Sequence, residues 1–109
     1  MRKFIFICIL PILSFATDFK ELLFNGNCTT CHFINKSVSA PSMKNVQQVY
    51  KTAFPNKQDF IEYMSQWAEH PNPKGSLMHN AITKYGLMPE LGFEREVLKE
   101  IVEYIYDLQ

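Results

Sequence analysis

Cys28-Thr29-Thr30-Cys31-His32 constrains this chain more than any other stretch. Two thiols separated by two residues, followed at once by an imidazole, form the C-x-x-C-H arrangement that attaches a c-type haem. The spacing lets both sulfurs add as thioethers to vinyl groups on one edge of the macrocycle, while the imidazole reaches the iron. A chain built around such a group folds about a large apolar plate, so the cofactor is expected to be part of the core.

Other readings of the two cysteines are weaker. A disulfide closing so short a loop removes little freedom from the unfolded chain. A zinc site wants four ligands, and beyond Cys28, Cys31 and His32 only His70 and His79 remain, not at finger spacing. A redox-active dithiol of the thioredoxin type is preceded by a strand. Here the preceding residues read as a helix.

The amino terminus bears on where such chemistry takes place. Met1-Arg2-Lys3 is basic, residues 4–13 are apolar apart from Pro11, and Ser14-Phe15-Ala16 places small residues before a cut. This is the pattern of a secretory signal peptide over residues 1–16, leaving a domain over 17–109. The apolar run is about ten residues, short of the roughly 20 that span a bilayer, so no stable membrane insertion is expected after cleavage. Cys8 would be discarded with the leader. Export implies an oxidising compartment, the periplasm.

Losing Arg2 and Lys3 leaves nine basic against eleven acidic side chains, interspersed along the chain. No basic patch points to nucleic acid, and the charges read as a solvated surface. The remaining length makes one small domain, near the size at which a polypeptide core alone is only marginally sufficient.

Helical periodicity runs throughout, and strand-like alternation is absent. Asp18 and Glu21 resemble a capping box, with Phe19, Leu22, Leu23 and Phe24 on the apolar face of a helix that runs into the haem motif. Residues 33–43 read as a loop and 44–54 as a short helix. Asn56 caps a helix over 57–69 in which Phe60, Ile61, Met64, Trp67 and Ala68 recur at helical spacing, ended by the prolines of His70-Pro71-Asn72-Pro73. A further helix is predicted over 76–85, closed by Gly86. The clearest spans 95–106, where Val97, Leu98, Ile101, Val102 and Ile105 share a face behind Glu94 and Glu96. The fold class is all-α, four to five helices around one haem.

These residues together resemble the class I cytochromes c. Leu23-Phe24 is similar to the pair on that family's first helix, Pro41 to its loop proline, Tyr85-Gly86-Leu87-Met88-Pro89 to its ligand loop, and the helix over 95–106 to its terminal helix. The resemblance implies covalent haem c on Cys28 and Cys31, His32 and Met88 as the two iron ligands, and a carbonyl of Pro41 that fixes the His32 ring. It also implies a monomeric periplasmic electron carrier, not an enzyme, that docks transiently with redox proteins near Cys28 and Cys31.

Among the methionines, Met64 lies on an apolar helical face and Met43 sits too soon after the motif to reach the far side of a ring. Met88 stands in a loop between Gly86 and Pro89. Met78, placed on the helix over 76–85, is its rival, with His79, His70 or an open sixth position behind. A thioether ligand raises the potential and closes the site, which suits electron transfer. An open site would instead suit a gas sensor or a peroxidase-like protein, but four-helix cytochromes of that kind carry the motif near the carboxyl end. A haem subunit of a larger reductase or oxidase is the third reading. Tyr50, Trp67 and Tyr85 read first as core, with donation to haem propionates as a second role.

Overall fold

A computed structural model describes residue 5 and residues 16–109, the side chains of 16–18 excepted. The leader read over residues 1–16, with Cys8, falls outside the described residues but for positions 5 and 16. Five helices follow: α1 (Ala16–Asn27), α2 (Met43–Ala53), α3 (Lys57–Glu69), α4 (His79–Tyr85) and α5 (Arg95–Asp107). Among the described residues there is no strand, and no helix is long and apolar enough to cross a membrane.

Local chemistry sets the boundaries. Helix α1 begins at Ala16, ahead of the expected cap at Asp18. The Ser42 hydroxyl accepts from the Asn45 N–H at 3.2 Å and starts α2 one residue earlier than the periodicity suggests. The Asn56 side chain accepts from Gln58 and Asp59 N–H at 2.9 and 3.3 Å, and α3 has the expected limits.

The fourth helix is shorter than expected. Ser76 Oγ accepts from the Met78 N–H at 3.0 Å, and Ser76 N–H bonds Pro73 O at 3.3 Å, so these backbone groups are spent on turns. Helical geometry then begins at His79, and Met78 becomes the preceding cap residue rather than a helical one. Gly86, at φ +88°, closes α4 with its N–H on Ile82 O at 2.8 Å.

Helix α5 is the spine of the core and packs against α1, α2 and α3. Phe24, Phe60, Ile101, Val102 and Ile105 are buried where these helices meet, and Phe24 meets Tyr104 at a ring separation of 5.1 Å. Buried Gln47 reaches from α2 to the end of α5, where its amide donates to the carbonyls of Ile105, Tyr106 and Leu108 at 2.9, 3.2 and 2.7 Å. The Ile105 carbonyl also accepts from the Leu108 N–H at 3.3 Å, whereas those of Tyr106 and Leu108 lie past the last helical donor and Gln47 supplies theirs. By contrast, α4 packs against none of the other helices and contributes no buried residue. A cavity stands between it and the rest.

Candidate functional site

The C-x-x-C-H motif continues α1 by one further turn. Cys28 N–H bonds Phe24 O at 2.9 Å and His32 N–H bonds Cys28 O at 2.9 Å, which turns both thiols and the imidazole about one axis. From there the chain loops through residues 33–42 and is closed by Met43 N–H to Phe33 O at 2.8 Å and Lys44 N–H to Ile34 O at 3.1 Å. This closed loop brings Pro41 back over His32, where Nδ1 lies 2.8 Å from Pro41 O.

That contact fixes the tautomer. A carbonyl oxygen only accepts, so Nδ1 carries a proton, and in the neutral ring Nε2 keeps its lone pair. An imidazole held in this way is prepared to bind a metal through Nε2, with its ring orientation set by the second nitrogen. The separation lies within the hydrogen-bond distance that the resemblance leads one to expect of this pair.

His32, Cys28 and Cys31 line a cavity of about 200 Å³ that opens to solvent. Its lining also takes in Ala81, Ile82, Tyr85, Leu87 and Met88 from α4 and the segment after it, and Met64, Leu98, Ile101 and Val102 from the core. Small-molecule and cofactor sites are lined mostly by apolar groups. This cavity is of that kind. Cys31, Leu87 and Leu91 are exposed at its mouth.

Met88 and Met78 both line the cavity. Met64 also touches it but is buried in the core, and Met43 is buried in the core apart from the cavity. Sequence spacing places Met78 on a helix as packing; the turn at Ser76 instead leaves it at the head of α4, facing the same space as Met88. The structure therefore brings Cys28, Cys31, His32 and Met88 together, and brings Met78 with them.

The aromatic side chains divide. Trp67 lines the cavity, but its indole N–H donates to Asn72 O at 2.9 Å and is thereby committed to the turn after α3. Tyr63, which the sequence does not single out, likewise donates its hydroxyl to Gly75 O at 2.7 Å. Tyr50 is buried against the cavity, and its hydroxyl forms no hydrogen bond among the described residues. Burial, with Tyr63 beside it, raises the Tyr50 phenol above its ordinary range, so it stays a donor. Phe33 is 37% exposed, with the Lys36 ammonium 4.8 Å from its ring centre.

Both cysteines are free thiols, and burial pushes Cys28 up to about 11. A dithiol built for exchange needs a lowered thiol pKa, commonly at a helix N-terminus. Cys28 follows the C-terminal end of α1 and is shifted the other way. Among the described residues no three His, Cys, Asp or Glu side chains gather as a metal site. An iron held by a macrocycle asks the protein for only two axial ligands, and an imidazole with a thioether is such a pair.

No family profile, curated protein or solved structure matches the chain.

Proposed function

We propose that this chain binds one haem c through Cys28 and Cys31, ligated by His32 and Met88, and passes single electrons between periplasmic redox proteins without turning over a substrate. The observation that carries the reading is the convergence on one apolar cavity of the C-x-x-C-H motif, a His32 ring fixed by Pro41, and the Met88 thioether. The lack of any helix packed against α4 also supports it, since a flat apolar group in the cavity would give that helix its missing partner.

A bound haem supplies an iron that alternates between ferrous and ferric states. The chain's own residues do the rest. His32 presents a basic Nε2 in a set orientation, because Pro41 holds Nδ1–H. Met88 offers a soft sulfur that favours the reduced state and occupies the position a small exogenous ligand would need. Met64, Leu98, Ile101 and Val102 keep water from the inner face, and Tyr50 is the buried donor best placed for a propionate. The rim of Cys31, Leu87 and Leu91 leaves one edge of the cavity open, where a partner docks through a small, transient interface.

Met78 gives a second reading of the sixth position, favoured by its place on the cavity wall ahead of α4. Visible spectra of the protein, exported from a host able to attach haem, test the proposal. Reduced and oxidised samples are expected to show low-spin haem c with methionine bound. Absence of a haem spectrum would overturn the proposal.

A further inference from the structure

The segment carrying Met88 is held by unusually little. It is bracketed by two glycines in the left-handed region, Gly86 at φ +88° and Gly92 at φ +76°. Among the described residues, 87–93 take part in one hydrogen bond, between the Glu90 carboxylate and His70 Nδ1. The same ring turns Nε2 toward Glu69 Oε1 at 3.2 Å, and Glu69 in turn accepts from Arg95 Nε at 2.7 Å. The chain of contacts runs from the Met88 segment through the end of α3 to the start of α5.

Both nitrogens of His70 face carboxylate oxygens, which only accept. The arrangement is complete only when both nitrogens carry protons, that is, when the ring is an imidazolium. We propose that His70 is a positioning residue for Met88: protonated, it ties Glu90 to the end of α3 and keeps the Met88 segment closed over the cavity, and on losing a proton it releases that segment. The role assigned to Met88 rests on the haem reading above, whereas the tie itself does not.

The charges facing His70 are the Glu90 carboxylate from the segment it ties, the Glu69 carboxylate from its own helix end, and the Arg95 guanidinium from α5. Glu90 foremost, with Glu69, raises the His70 pKa above 6.5, against burial and Arg95, which lower it. A group with a raised folded pKa contributes fully below its unfolded value, and the contribution fades as pH rises through the folded one. The segment is therefore tied at mildly acidic pH and freer above neutrality. Because His70 and Glu90 are exposed, the effect is modest and weakens with salt.

The test combines two measurements on the haem-loaded protein, its H70A variant and its E90Q variant, over roughly pH 5.5–8.5 at low salt. NMR follows the titration of His70, and azide, an anion throughout this range, reports how often the sixth position opens in the ferric protein. The proposal expects His70 to titrate above its ordinary value in the wild type and lower in E90Q. It also expects azide binding to the wild type to tighten about two- to fivefold as pH rises through that titration. H70A and E90Q should bind at the tighter level throughout. Simple attraction of azide to a protonated His70 would give the opposite slope.

A wild type whose azide affinity is flat, an H70A variant with the same pH dependence, or a His70 that titrates at or below its ordinary value would each overturn the proposal. A protein recovered without haem would overturn the proposed function instead, and the His70 titration would still decide the tie.

Discussion

One proton determines what His32 can do. With Nδ1–H given to Pro41 O at 2.8 Å, the lone pair of the neutral ring lies on Nε2, and the ring cannot turn without breaking that bond. The residue types at the site were legible because C-x-x-C-H is a local pattern. The two methionines were harder to separate, since their roles depend on where α4 begins, and a single serine hydroxyl sets that. Met88→Ala should remove the weak red charge-transfer band of methionine-bound ferric iron, lower the reduction potential and admit cyanide readily. Met78→Ala should leave the band in place. Loss of the band in Met78→Ala with its survival in Met88→Ala would exchange the two roles. The hydroxyl of Tyr50, a donor against the cavity with no partner among the described residues, should likewise matter to potential more than to folding. Tyr50→Phe should shift the potential measured by voltammetry while leaving the methionine band, and an unchanged potential would remove that role.

At the scale of elements, helix existence and type followed from periodicity, and the limits of α3 followed from the Asn56 cap and the proline-rich stop. Long-range polar contacts left no local trace. Gln47 looks like an ordinary polar position of α2, and only the fold brings its amide beneath three carbonyls at the end of α5. Gln47→Ala should destabilise the folded protein by about 1–3 kcal/mol, because buried acceptors lose their donor. Chemical denaturation measures this, and no change in midpoint would show that the contacts carry no weight. Gly86 was legible as a helix stop, and its φ of +88° makes it specific. Nothing lies within 4 Å of the position a Cβ would occupy, so Gly86→Ala acts through backbone strain rather than a clash. A loss of about 1–3 kcal/mol is expected, with weaker retention of Met88. A Gly86→Ala protein of unaltered stability and spectrum would place the constraint elsewhere.

Among the described residues, three helices pack against α5, and α4 stands across a cavity from them. That asymmetry was not legible: the sequence predicted a helix closed by Gly86 and could not say that no other helix would meet it. Its consequence is that folding and cofactor are expected to be coupled. The haem-free chain should lack near-ultraviolet circular dichroism and a cooperative thermal transition, as small metal-dependent domains do without their ligand. Cooperative melting of that chain would show that α5 and its neighbours suffice alone.

Covalent haem on Cys28 and Cys31 is read from the intact mass of the denatured protein made in a haem-attaching host. A polypeptide heavier by one haem is expected, reduced to polypeptide alone when Cys28 and Cys31 are both replaced by Ala. A wild-type mass equal to the bare polypeptide would contradict it.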